Sequence, residues 1–290
     1  MRITFLGTAD SSGYPHPFCD CVNCTEARQL SGPSIRLRSS ALINDDLLID
    51  LGPDLAAAAS RQQLSLRGVR WCLQTHAHID HLEAEHLYMR SAIYHLVDPL
   101  PFTLYGSRAT LDRVRQTLTE SKATRHREYG ELMTAMDTTL VEVAAGEQFV
   151  VGPYRITAIP ATHDAPGAAL LYAISDGLST VFYGNDTGAL REDAWETIAR
   201  WKLRFDLVIL DHTQGVNAAS ANHMNGEQVR ETLRRMREAG MLQADARCFA
   251  NHICHLGNPI HPKLVEVART GGYEVAFDGL AITVPGTHES

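Results

Sequence analysis

The chain has 290 residues and a formal net charge of −8, with 44% hydrophobic and 21% charged residues. That balance supplies a large apolar core and argues against a protein that coats nucleic acid through a general basic surface. No run approaches the ~18 uninterrupted apolar residues of a membrane span. The opening Met1-Arg2-Ile3-Thr4 turns polar too early for an export signal, so a cytoplasmic protein without membrane contact is expected.

Arg2–Thr8 reads as an apolar strand, followed by a loop rich in Gly, Pro, Ser and Cys over about residues 9–38. Ser40–Ile43 and Leu47–Asp50 read as a hairpin around Asn44-Asp45-Asp46. Val69–Gln74 is a strand that delivers Thr75-His76 at its end. Apolar residues at helical spacing predict a helix over Leu82–Leu96. A strand at Phe102–Tyr105 precedes a helix that Ser107 caps and that runs to Glu120. Phe149–Ile159, Ala169–Ser175 and Thr180–Tyr183 read as strands, with Asp176-Gly177 turning between the last two. Glu192–Trp201 reads as helix, Leu207–Leu210 as strand, and Asn225–Ala239 as helix closed by Gly240. Arg247–Ala250 is a strand, Pro262–Arg269 a helix, and two short strands finish the chain. β-rich segments followed by helices, twice over, predict one domain of two face-to-face sheets with helices outside, its halves joining near residues 130–150.

The chemistry concentrates in His76-Ala77-His78-Ile79-Asp80-His81. In an extended segment residues two apart point the same way, so His76 and His78 reach one cation. Asp80 and His81 come where the chain must turn, and face a second. Imidazole and carboxylate suit Zn, Mn or Fe. Further donors are His163, Asp186 and His252, each just past a predicted strand, where loop residues converge on one face.

The run Thr75–His81 resembles the signature of the metallo-β-lactamase superfamily, and His163, Asp186 and His252 fall where that superfamily keeps its later ligands. The resemblance spans nearly the whole chain and implies an αββα four-layer sandwich. It implies one metal on His76, His78 and His163, another on Asp80, His81 and His252, and Asp186 bridging them with a hydroxide between. It also implies that Asp50 accepts the outer ring N–H of a ligand histidine. Two divalent cations against Asp80, Asp186 and one hydroxide leave about one net positive charge, which attracts a phosphodiester monoanion.

Cys19, Cys21 and Cys24 form C-x-C-x2-C, enough thiolates for one structural Zn with a fourth ligand at His255 or Cys254. Within the superfamily this cluster resembles the PhnP-type cyclic-phosphate phosphodiesterases, whose pattern implies His255. That resemblance also implies that His223 protonates the leaving alkoxide, with Asp80 in the catalytic pair of metals. Asp211-His212 reads as supporting structure, and His16, His86, His95, His126, His261 and His288 as surface residues.

Three other activities compete. A tRNA-processing nuclease of the same fold would use the excess of basic residues between Ser107 and Arg127, which reads better as a solvated helix face. A lactamase or thioester hydrolase fits the bridging Asp186 less well. A non-hydrolytic quinone-cofactor biosynthesis relative shares the N-terminus, Gly13-Tyr14-Pro15 included, but its signature is typically degraded. The expectation is a metal-dependent hydrolase of a small, possibly cyclic, phosphodiester, a homodimer by default.

Overall fold

The computed structural model describes residues 1–91, 94–122, 126–165 and 167–285. The first half of the chain gives strands β1 (Arg2–Gly7), β2 (Ser40–Ile43), β3 (Leu47–Ile49), β4 (Trp71–Leu73), β5 (Phe102–Gly106) and β6 (Thr138–Glu142). The second gives β7 (Gln148–Val151), β8 (Tyr154–Pro160), β9 (Leu170–Ser175), β10 (Thr180–Gly184), β11 (Phe205–Asp211), β12 (Leu242–Asn251) and β13 (Glu274–Val275). A last strand, β14 (Ala281–Thr283), returns to pair with β1. The sheets run β14-β1-β2-β3-β4-β5-β6 and β13-β12-β11-β10-β9-β8-β7. In each, antiparallel hairpins give way to parallel strands, β3 to β6 in one and β10 to β13 in the other. The chain crosses between them at 143–147, inside the predicted joint.

Alternation sorts the strand residues into layers. Phe5, Ile43, Leu73, Ile156, Tyr172 and Phe249 meet between the sheets. Leu42, Leu48 and Leu104 face outward under helix α3 (Arg108–Glu120). Phe182, Val208 and Leu210 face the opposite way, under α5 (Glu192–Arg200) and α6 (Gly226–Glu238). The remaining helices are α1 (Val22–Leu30), α2 (Leu55–Gln62), α4 (Tyr129–Ala135) and α7 (His261–Thr270). No described helix is long and apolar enough to cross a membrane.

Three predicted elements need correction. The helix expected over Leu82–Leu96 is a 3-10 segment, Ala84–Arg90, closed by short bonds from His86 N to Glu83 O and Ser91 N to Tyr88 O. Positions 92 and 93 of that prediction lie outside the described residues. Packing Leu87 and Tyr88 against α3, where the Tyr88 hydroxyl donates to Leu118 O at 3.0 Å, does not require a long helix. The single strand expected over Phe149–Ile159 is a hairpin, because Gly152-Pro153 forms a two-residue turn with Gly152 at φ 54°. The loop expected over about 9–38 holds α1 near its middle. Helices α2 and α4 and strand β6 carry too little periodicity to be read.

Phe249 is 1% exposed and lies 6.2 Å, ring to ring, from Phe5 across the two sheets. Phe249→Ala should therefore cost about 3–5 kcal/mol, visible as a lowered urea midpoint at unchanged secondary structure.

Candidate metal centre

The chain reverses just past the carboxyl ends of the parallel strands, and there the donors collect, as expected for open α/β sheets. Asp50 follows β3, Asp186 follows β10 and His252 follows β12. All three are left-handed, at φ 65°, 54° and 58°. Such a conformation costs a non-glycine residue roughly 1–2 kcal/mol, and it re-aims each side chain over the sheet edge. Gly188 matters for the same region. A Cβ there would collide with the Ala221 carbonyl, so only glycine lets the loop bearing His223 lie against the segment bearing Asp186.

Asp186 is the centre of the cluster. Its Oδ2 lies 3.1 Å from His81 Nε2, 3.3 Å from His76 Nε2, 3.4 Å from His163 Nε2 and 3.6 Å from His252 Nε2. Asp80 Oδ2 lies 3.2 Å from His81 Nε2 and 3.5 Å from His252 Nε2. Among the described residues three donor groups share Asp186, with every atom of a group within 4.8 Å of the others; the third joins Asp186 to Asp211, His223 and His252. The first is His76, His78, His163 and Asp186; the second is Asp80, His81, Asp186 and His252. The structure thus brings all seven predicted residues together.

The outer ring nitrogens are tied to oxygen. Asp50 Oδ2 lies 2.7 Å from His81 Nδ1, and Asp50 also accepts from Thr75 N and Oγ1. Thr75 Oγ1 is 3.1 Å from His76 Nδ1, Thr213 Oγ1 is 2.8 Å from His252 Nδ1, and Asn222 O is 3.2 Å from His163 Nδ1. Thr213 Oγ1 also donates to Asp211 Oδ2 at 2.9 Å. These contacts orient the rings so that Nε2 faces inward. His78 is reversed, with Nδ1 inward at 3.1 Å from His163 Nε2.

The donor set fits divalent cations. His76 Nε2 and Asp186 Oδ1 are buried without a well-formed hydrogen bond, their contacts being Asp186 Oδ2 at 3.3 Å and His223 Nδ1 at 3.1 Å, and protein interiors rarely tolerate such groups. His81 Nε2 and His252 Nε2 approach to 3.3 Å, a contact between like groups that makes sense around a shared cation. Burial raises the Asp80 and Asp186 carboxyls, but the facing His81 and His252 more than offset it and hold both below the usual carboxylate range. At His76 and His163 burial prevails and holds the imidazoles low. Ionised carboxylates and neutral imidazoles are the forms that bind metal; at His81 and His252 burial lowers the imidazole, but the neighbouring carboxylates outweigh it and raise both, so a cation there would displace their protons.

His223 sits at the edge of this cluster with its side chain 25% exposed, its Nδ1 3.1 Å from Asp186 Oδ1 and 3.2 Å from Asp211 Oδ2. Burial lowers its pKa, but the two carboxylates reverse this and push it up to about 10. His212, by contrast, is fully buried against Asn258 and Tyr273, and is structural.

A separate donor group joins Cys19, Cys21, Cys24 and His255, with Cys21 Sγ 3.5 Å from His255 Nδ1. Cys254 stands outside it, its thiol beside Asp10 and pushed up by burial. Helix α1 begins at this cluster, and Asn23 Nδ2 donates to His255 O at 2.8 Å. Burial raises the Cys21 thiol, but hydrogen bonds from the Cys24 backbone and His255 outweigh it and lower Cys21 to about 6, while burial pushes Cys24 up to about 12.

Several supporting residues escaped the sequence. Gln74 donates to Asp50 and to the carbonyls of His76 and His81, and accepts from Leu51 N. Thr213 carried one signal, its place just past a strand. Two histidines read as surface have internal roles. His261 Nδ1 lies 2.9 Å from Nη2 of the buried Arg36, and the His16 ring lies 5.2 Å from that of His255, tilted by 52°. His288 lies outside the described residues.

A family model described as the beta-lactamase superfamily domain matches residues 46–244. The chain is 26% identical to coenzyme PQQ synthesis protein B of Methylobacterium radiotolerans, over 98% of this chain and all of that protein. Among solved structures, a diphosphatase of the PhnP family superposes with a TM-score of 0.73 at 20% identity, over 98% of both chains. Zn-bound PqqB of Methylobacterium extorquens superposes at 0.70 and 20% identity, over 98% of this chain and 100% of that one. The family match covers the strand ends that bring six of the seven clustered donors together, and the protein belongs to the metallo-β-lactamase superfamily.

Proposed function

We propose that the protein is a dinuclear metal-dependent hydrolase that cleaves a small phosphodiester. The observation that carries this reading is the buried Asp186 carboxylate shared by two complete donor groups, with His223 against its other oxygen. His76, His78 and His163 would hold one cation, Asp80, His81 and His252 the other, and Asp186 both. When bound, two such cations supply Lewis acidity for a phosphoryl oxygen and lower the pKa of water to make a nucleophile near neutral pH.

The protein's own groups do the rest. Asp50, Thr75 and Thr213 hold the histidine rings in orientation. His223, with Nδ1 hydrogen-bonded to Asp211 and beside Asp186, would have Nε2 left for the leaving oxygen, and its partial exposure supports that role. Cys19, Cys21, Cys24 and His255 would hold a structural Zn that ties the N-terminal loop to the segment carrying His252. The likeness to a PhnP-family diphosphatase supports phosphoester chemistry.

One observation favours a second reading. The match to PQQ synthesis protein B spans nearly both chains, which points to a quinone-cofactor biosynthetic role at the same metal centre. Cyclic, acyclic and polynucleotide phosphodiesters and a diphosphate ester, each assayed with added Mn, separate the two. Turnover of a small diester supports hydrolysis, and inertness toward all of them in a fully metal-loaded protein supports the second reading.

Elemental analysis should find three metals per chain, and no more than one would sink the dinuclear assignment. Asp80→Ala should abolish turnover while the cysteine-bound metal stays in place. His223→Ala should slow alkyl diesters on the order of 10²- to 10⁴-fold and bis-nitrophenyl esters far less, since a nitrophenolate leaves without a proton. Equal losses would remove His223 from the proton-donor role.

A further inference from the structure

The outer face of the first sheet carries a cavity of about 300 Å³ that includes none of the clustered metal donors. Leu48, Leu51, Leu66 and Phe102 are among its lining residues, with Arg67, Arg90 and His86 in the same wall and no acidic side chain among the described lining residues, although Asp137 is near enough to act on Arg90. Leu48, Leu51 and Phe102 are buried, while Met89 at the lip is 44% exposed. Pockets of this size and make-up, apolar with a few placed polar groups, are the usual form of small-molecule sites.

Arg90 is the unusual feature. Its guanidinium lies over the Phe102 ring, 4.4 Å from the centroid. Nη2 donates to the Leu100 carbonyl, and Nε is buried with no partner. A guanidinium offers five N–H donors, so the protein leaves part of this capacity unmet inside an apolar wall. Arg67 donates through Nη2 only to the Asp98 carbonyl, at 3.4 Å.

We propose that this cavity binds an amphipathic monoanion, an aliphatic carboxylate of about eight carbons, with its chain among the leucines and its headgroup on Arg90 and Arg67. The size follows from the volume. At roughly 30 Å³ per non-hydrogen atom, one water's share of the liquid, the cavity holds on the order of ten such atoms. The headgroup follows from the arginines, whose planar fork matches a carboxylate. This site is independent of the reaction assigned above.

Isothermal titration of the full-length, metal-loaded protein with octanoate tests it, in excess acetate so that carboxylate binding to the metals is already saturated. One saturable site per chain is expected. Hexanoate should bind roughly tenfold more weakly for two lost methylenes, and octanol should also bind more weakly than octanoate. Leu66→Trp should fill the cavity and abolish octanoate binding while phosphodiester turnover is unchanged. Absence of saturable heat at several millimolar octanoate, affinity indifferent to chain length, octanol binding as tightly as octanoate, or full binding by a folded Leu66→Trp protein would each overturn the assignment.

Discussion

A carboxylate 3% exposed and ringed by imidazoles sets the terms for this structure: Asp186 could not stay ionised in an apolar interior without compensating charge. Four imidazole nitrogens lie within 3.6 Å of one of its oxygens, those of His81 and His252 supply the compensating charge, and the rest of the architecture delivers them. Two sheets each contribute parallel strands whose carboxyl ends lie at the same edge. Left-handed residues at those ends turn the side chains inward instead of along the strand. The conformational strain at Asp50, Asp186 and His252 is set against the electrostatic gain of bringing opposite charges into a low-dielectric site.

Orientation is handled one tier further out. Asp50 serves His81 directly and His76 through Thr75, while Asp211 serves His252 through Thr213 and touches His223 as well. Each sheet therefore keeps one buried carboxylate behind its own histidines. The cysteine cluster works on the backbone. Ala9 pairs with Ile253, and Ile253 N donates to Thr8 O, so the strand end at β1 is pinned to the loop after His252, beside the cluster where α1 begins.

How much of this was legible depended on whether a feature was local. The His76–His81 run, the strands before it and the cysteine spacing are local patterns and could be read, as could the layered fold. Asn225 was readable as the start of α6, and there it forms a capping box with Gln228. The pairing of Thr213 with His252 spans 39 residues, and that of Gln74 with the His81 carbonyl depends on a backbone reversal; neither leaves a periodic trace. Periodicity misled at Leu82–Leu96, where a few buried contacts to α3 suffice. It missed α2, whose short run Leu55-Ala56-Ala57-Ala58-Ala59 buries only Ala58.

The division of donors between the sheets has a consequence for the integrity of the chain. His76, His78, Asp80 and His81 come from the first half, and His163, Asp186 and His252 from the second, with the crossover at 143–147 between them. Neither half owns the whole of either proposed coordination set, and each of those cations would need both. Cleavage at that crossover would divide both sets between two fragments. Any cation they recaptured together would report reassembly of the whole sandwich, so the centre doubles as the clasp that registers whether the two halves have met correctly.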